Sequence, residues 1–275
     1  MNFIHRLRQA SNTNQTLLCV GLDPDPRRLP SAFSNSAHPL FEFGRAIVDA
    51  TADLVCAFKP QIAYYAAAHA EDQLEMTIAH IRRQYAQIPV ILDAKRGDIG
   101  STAEMYAREA FERYAADALT VNPYLGSDSL APYLAYADKG VIVLCRTSNP
   151  GARDLQDIES HGRKLYQIVA EKAARDWNAN GNVLLVVGAT YPEELGEIRA
   201  IVGDMPILVP GVGAQGGDVA AVVANGATAD GGGLIISTSR AVLYASSGAD
   251  YAAAARSAAL QLRDQINLSR KTRGI

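Results

Sequence analysis

The sequence predicts an α/β fold, specifically a single (β/α)8 TIM barrel. Eight short apolar runs recur along the chain, each followed by a segment with helical spacing. That alternation calls for a parallel sheet. Eight such units in 275 residues suit a closed barrel better than an open doubly wound sheet. No linker or shift of composition divides the chain. Residues 1–275 therefore read as one barrel domain, with a short N-terminal helix and a C-terminal closing helix.

Met1 to Arg8 lacks the apolar core of a signal peptide and suits a short amphipathic helix lying against the body. Leu17 to Asp23 is the first strand, stopped by Pro24-Asp-Pro26; the Pro- and Ser-rich segment after it is a loop. Phe41 to Asp53 has helical spacing. Leu54 to Pro60 is the second strand and ends with Lys59. Tyr64 to Ala86 reads as one helix. Pro89 opens the third strand, and Thr102 to Ala115 is its helix, with Ala103, Tyr106, Ala110, Phe111 and Tyr114 in one apolar stripe. Ala118 to Pro123 is the fourth strand, with a helix at Ser129 to Ala137. Gly140 to Ser148 is the fifth, with a helix from Gly162 to Asn178. Val183 to Gly188, Pro206 to Gly211 and Gly233 to Ser237 are the sixth, seventh and eighth. Their helices are Glu193 to Val202, Asp218 to Asn225 with Asp218 as N-cap, and Tyr251 to Asn267. The longer segments 24–40 and 147–161 read as loops around a site.

The stretch from Pro89 to Thr102 concentrates chemistry. It begins as a buried strand and places Asp93 and Lys95 two residues apart, so on an extended chain both point the same way. Arg96-Gly97-Asp98 then turns the chain. Ser101 and Glu104 have capping-box spacing, which starts a helix there. Charges at the end of a buried strand are costly unless paired or hydrogen-bonded. Two readings stand: a reactive cluster, or a satisfied ion-pair network at a loop. Barrel enzymes work at the C-terminal ends of their strands. Asp23, Lys59, Asp93 and Lys95 all fall at such ends, and Asp98 lies just beyond. Three sequential strands delivering charge to one rim favour a site.

Strands seven and eight supply a second half. Pro210-Gly-Val-Gly-Ala-Gln215-Gly216-Gly217-Asp218 is a Gly-rich loop opening onto a short helix, suited to holding a phosphate. Gly211, Gly213 and Gly216 match GxGxxG, but too late in the chain for a dinucleotide fold. After the eighth strand, Arg240 can clamp a phosphate with its planar fork. Asn122 and Ser148 end strands four and five and could hydrogen-bond a ligand.

Composition narrows the function. The chain is 48% apolar with net charge −3 and no long basic run, which argues against nucleic acid or an acidic membrane surface. The short basic stretch Arg270-Lys271-Thr-Arg273 is a solvated end. No apolar stretch reaches transmembrane length. Cys19, Cys56 and Cys145 are far apart in apolar runs, as buried reduced thiols of a cytoplasmic protein would be. His5, His38, His69, His80 and His161 show no metal-ligand spacing. Trp177 suits a core position.

Asp93-Ala-Lys95-Arg-Gly-Asp98-Ile99 resembles the Asp-x-Lys-x-x-Asp signature of the orotidine 5′-phosphate decarboxylases. Lys59, the Pro210 to Gly216 loop and Ser239-Arg240 fall where that family has its matching elements. The resemblance runs from about Leu17 to Tyr244. The wording of residues 93–102 and the Ser237-Thr-Ser-Arg240 ending look like the subgroup found in mycobacteria and related bacteria. The resemblance implies cofactor-free and metal-free removal of CO2 from orotidine 5′-phosphate to give UMP, in the cytoplasm, as the last step of de novo pyrimidine synthesis. It implies a homodimer with a charged tetrad of Lys59, Asp93, Lys95 and Asp98. Lys95 would protonate the carbon that loses CO2, and Asp93 would lie against the departing carboxylate. Asp23 and Lys59 would contact the ribose, and Ser148 the pyrimidine edge. Pro210, Gln215, Gly216, Ser239 and Arg240 would surround the phosphate. Asp98, Ile99 and Thr102 would complete the neighbouring subunit's site. Ser239 departs from the family, which mostly has Gly there.

Three other functions share this scaffold. A metal-dependent decarboxylase or aldolase of sugar phosphates needs carboxylates for Mg2+, and Lys59 counts against it. A Schiff-base aldolase would use Lys95 or Lys59. A non-catalytic nucleotide-sensing barrel would bind UMP and leave orotidine 5′-phosphate unchanged.

Overall fold

The computed structural model describes residues 1–212 and 217–272. Its eight parallel strands are β1 (Leu18–Leu22), β2 (Ala57–Pro60), β3 (Ile91–Arg96), β4 (Ala118–Val121), β5 (Gly140–Arg146), β6 (Val183–Val187), β7 (Ile207–Pro210) and β8 (Leu234–Thr238). Each pairs in parallel with its sequence neighbours, and β8 returns to β1. Bridges between Phe58 and Val90 and between Gln61 and Asp93 close β2 onto β3. The barrel expected from the sequence is thus formed.

The side-chain period of two divides each strand between two cores. One set faces inward: Cys19, Ala57, Ile91, Ala118, Ile142, Leu184, Leu208 and Ile235 form a packed barrel interior. The alternate residues, such as Val20, Phe58, Leu92 and Leu119, pack outward against the helices. Near-continuous apolar strands follow from burial on both faces.

Helix α1 (Phe3–Thr13) buries Phe3, Leu7 and Ala10. Phe3 and Leu7 join the interior cluster and so close the barrel's lower end. Arg6 pins this helix through Asp117, whose other oxygen accepts the Val90 N–H at 2.9 Å. The barrel helices are α2 (Pro39–Thr51), α3 (Glu71–Gln84), α4 (Gly100–Arg108), α5 (Ser127–Leu134), α6 (Leu165–Arg175), α7 (Pro192–Val202), α8 (Val219–Gly226) and α9 (Tyr251–Thr272). Asp218 caps α8 as expected, its side chain accepting from Ala220 N at 2.8 Å.

Two local expectations fail. The helix expected over Tyr64 to Ala86 is two helices, Ile62–Ala66 and α3, because His69 takes a left-handed φ of 51°. The capping box at Ser101 is not formed. Helix α4 starts two residues earlier, at Gly100, with Ile99 as N-cap and no side-chain cap bond. Ser101 therefore lies inside the first turn, past the position where a side chain can cap it.

Candidate active site

The end of β3 is irregular, and the irregularity makes the site. Between Leu92 and Arg96 the register slips against β4, so four residues of β3 span two of β4. Lys95 sits in this bulge with φ 47°, a strained conformation for a residue with a Cβ. Thr120 on β4 holds the distortion. Its hydroxyl accepts the N–H groups of Ala94 and Lys95 at 3.0 and 2.9 Å and donates to Asp93 Oδ1 at 2.9 Å.

Asp93 is the hub. Its Oδ1 receives Lys95 Nζ at 2.7 Å and its Oδ2 receives Lys59 Nζ at 2.9 Å. Asp93 and Lys59 are buried, while the Lys95 side chain is 45% exposed at the rim. Burial opposes the charge on Asp93, but Lys59 and then Lys95 outweigh it and hold the carboxyl well below its ordinary range. Burial likewise opposes the Lys59 ammonium, and Asp93 and then Asp23 outweigh it, so its pKa lies above the usual lysine value. Beneath them, burial pushes the Cys19 thiol up to about 12, so it is a neutral packing group rather than a nucleophile.

Asp23 ends β1 on the same rim. Its Oδ1 is buried and accepts no hydrogen bond among the described residues. Asp98 is not joined to the other three charges by any ion pair among the described residues; its Oδ1 accepts the N–H of Ile99 at 2.8 Å. Ile99 is 58% exposed and Thr102 is exposed beside it. A single chain thus assembles Lys59, Asp93 and Lys95, and leaves Asp98 half-buried apart from them with Ile99 and Thr102 exposed. Arg96, within the same motif, turns away to Glu109 and lies over the Tyr106 ring. Asn122 Oδ1 accepts from Tyr124 N at 3.0 Å, which makes it a turn residue.

Across the rim, Pro210 ends β7, and a bridge between Val212 and Gly217 closes the loop that follows. Gln215 and Gly216 lie outside the described residues. Ser239 precedes the short helix Arg240–Leu243, and Arg240 is exposed, its side chain making no hydrogen bond or ion pair among the described residues. The Ser239 side chain lies over Gly21: a Cβ on Gly21 would come within 1.9 Å of Ser239 Oγ. Gly21 gives Ser239 its room. Ser148 follows β5 and is half-buried at the rim.

Sequence reasoning missed two residues here. Thr120 looks like any β-branched residue of a buried strand. Tyr244 accepts the Asp25 N–H at 2.7 Å and lies under the Arg28 guanidinium at 3.8 Å, tying the 24–40 loop to the end of β8. Only tertiary pairing reveals either one.

Comparison with known proteins bears on this geometry. Residues 16–257 match the family model described as orotidine 5′-phosphate decarboxylase / HUMPS family. The chain belongs to this family. It is 64% identical over 267 residues to a protein of Ralstonia pickettii named orotidine 5′-phosphate decarboxylase, covering 97% of this chain and 98% of that one. A protein of the same name from Azoarcus sp. is 64% identical over 270 residues, covering 98% and 100%. The solved structure of the Leishmania donovani OMP decarboxylase matches with a TM-score of 0.85 at 40% identity, over 98% of this chain and 99% of that one. The Ralstonia and Azoarcus relatives give no support to placement in a mycobacterial subgroup. Family membership marks the chain as an enzyme, and its charged side chains Asp23, Lys59, Asp93 and Lys95 gather at the ends of β1, β2 and β3. No helix is long and apolar enough to cross a membrane among the described residues.

Proposed function

We propose that this protein decarboxylates orotidine 5′-phosphate to UMP and CO2 without a cofactor, the last step of de novo UMP synthesis. One observation carries the reading: a buried carboxylate held between two lysine ammonium groups at a strand end, with one lysine open to the rim. Loss of CO2 leaves an electron pair on a ring carbon that has no carbonyl placed to accept it. A preorganised ammonium can stabilise that charge. Lys95 fills the role and then delivers its proton to the carbon. Asp93, fixed by Lys59 and Thr120, lies against the departing carboxylate and is relieved as CO2 leaves.

Binding follows the rim. Asp23 and Lys59 take the ribose hydroxyls, which gives the unpartnered Asp23 Oδ1 its donors. Ser148 meets the pyrimidine edge. Pro210, Gln215, Gly216, Ser239 and Arg240 surround the phosphate. The phosphate lies away from the reacting carbon, so its binding energy can drive closure of the loop. Asp98, Ile99 and Thr102 complete the site of a partner in a homodimer, which suits the exposure of Ile99. The chain acts as one barrel domain in the cytoplasm.

A metal-dependent sugar-phosphate enzyme fits less well. The Lys59 ammonium occupies Asp93 Oδ2 at 2.9 Å, and its positive charge repels a divalent cation there. The test is to add orotidine 5′-phosphate to EDTA-treated protein and follow the orotate absorbance. Loss of that absorbance with UMP as product is expected; unchanged absorbance overturns the reading.

A further inference from the structure

At the end of β5, across the rim from Lys95, a second buried charge cluster has no part in the chemistry above. Arg146 is the last residue of β5, and its side chain is 1% exposed. Its Nη1 lies 3.1 Å from Asp157 Oδ1 and its Nη2 lies 3.6 Å from Glu194 Oε1. Lys164 Nζ stands 3.9 Å from the same Asp157 oxygen. The charges alternate as Glu194, Arg146, Asp157, Lys164, so the cluster is neutral. The guanidinium also lies 4.3 Å from the centre of the Tyr191 ring and 5.2 Å from that of Tyr166.

This cluster joins three separate pieces of chain. Asp157 belongs to the loop that follows β5, Glu194 to the first turn of α7, and Lys164 to a two-residue strand paired with Glu159–Ser160. The loop is gripped a second time beside the first. Thr147 N donates to Gln156 Oε1 at 2.9 Å, and Gln156 Nε2 donates to Thr147 Oγ1 at 2.8 Å. Two adjacent residues on the far side of the loop, Gln156 and Asp157, thus hold two adjacent residues at its base, Arg146 and Thr147. Ser148 comes next. Its backbone is pressed onto β6: a Cβ on Gly188 would lie 2.9 Å from Ser148 N and 2.8 Å from its Cβ. Gly188 N in turn donates to Arg146 O at 2.8 Å.

The grip is incomplete. Arg146 Nε and Nη1 and Asp157 Oδ1 are buried and make no hydrogen bond among the described residues, although Nη1 and Oδ1 are close. A guanidinium prefers to meet a carboxylate with two parallel N–H bonds. One such bond is present, from Arg146 Nη2 to Asp157 Oδ2 at 3.5 Å, and Ser148 lies two residues beyond Arg146 on the loop that Asp157 anchors.

We propose that Arg146 is a positioning residue for pyrimidine recognition: through Asp157 and Glu194 it sets the 147–158 loop so that Ser148 meets the base. The proposal rests on the reading that Ser148 binds the pyrimidine edge. Arg146→Lys keeps the charge and loses the fork. Asp157→Asn keeps the shape of the loop residue and removes its charge, so it carries the test alone if the first variant fails to fold.

In both variants KM for orotidine 5′-phosphate and Kd for UMP should rise about tenfold or more, with kcat within about threefold of the wild type. Amide hydrogen exchange over 148–158 should quicken while the β-strands keep their protection. A purely structural Arg146 would alter exchange without moving KM or Kd, and that result overturns the proposal. So does a fall in kcat at constant KM, or a wild-type protein that does not bind UMP. Wild-type protein that binds UMP without decarboxylating the substrate would sink the reaction instead, leaving Kd and exchange to decide the role of Arg146.

Discussion

The two sides of the barrel rim are built on opposite plans. At β2 and β3, charge is matched inside the chain: Asp93 takes a hydrogen bond from Lys59, Lys95 and Thr120. At β8, Arg240 stands exposed and unpaired among the described residues, and on neighbouring β1 Asp23 Oδ1 is buried without a donor. The first side is complete before a ligand arrives, as stabilisation of a developing charge requires. The second leaves a carboxylate oxygen and a guanidinium without protein partners among the described residues, as the phosphate and ribose site proposed above requires. Changes on the first side should therefore damage turnover and folding together, and changes on the second should damage affinity alone.

The largest effect is expected at Lys95. Lys95→Ala removes both the stabilising charge and the proton donor, so kcat should fall by at least about 10⁴-fold. UMP binding, measured by calorimetry, should be far less affected. Equal losses in both would place Lys95 on the binding side of the contrast.

Asp93→Asn comes next and affects stability as well. It leaves Lys59 buried without its main partner, at a cost of about 3–5 kcal/mol in denaturant unfolding at neutral pH. The pH dependence should change sign with it. In the wild type, Lys59 titrates above its ordinary value, so its contribution is full below the unfolded lysine value and is lost as pH rises through the folded one. Asp93 titrates below its ordinary value, so its contribution is full above the unfolded aspartate value and is lost as pH falls through the folded one. Both contributions are present together from about pH 5 to pH 9, where this pair gives no pH dependence. In Asp93→Asn, burial dominates Lys59 and lowers its pKa, so stability should rise with pH in the alkaline range. Unfolding curves at several pH values check this.

Thr120→Val tests the bulge. It leaves two half-buried N–H groups unpaired and removes a buried bond to Asp93, a loss of about 1–3 kcal/mol. Turnover should fall with stability, because Thr120 bonds the Lys95 N–H in its left-handed conformation. A stable variant with normal kcat would show that the bulge holds itself. Arg240→Ala is expected to have the smallest effect on the fold. Unfolding should move by no more than about 0.5 kcal/mol. Loss of a charged hydrogen bond to phosphate should weaken UMP binding about tenfold to a hundredfold.

Much of the fold was legible because strands buried on both faces leave long apolar runs, and eight of them alternate with helical segments. The pairing of Asp93 with Lys95 was legible too, but for a different reason from the one found. A regular strand would aim both side chains one way. Here a bulge and a φ of 47° at Lys95 bring the ammonium back onto the carboxylate. The break at His69 was hidden because Ala66-Ala-Ala-His69-Ala-Glu-Asp72 is made of residues that helices accept. Arg146 and Thr120 looked like ordinary strand residues, since only partners distant in sequence give them work. Asp98 could be recognised by its place in the motif, and the contacts proposed for it lie on a second copy of the chain. Gln215 and Gly216 lie outside the described residues, so their part at the phosphate rests on the sequence.

The contrast between a prebuilt rim and a ligand-completed one can be measured in a single experiment. Backbone hydrogen exchange, with and without saturating UMP, should show new protection at 238–244 and around Asp23, and none at 91–96, which the chain already holds. Equal gains on both sides, or gains confined to β3, would contradict the account.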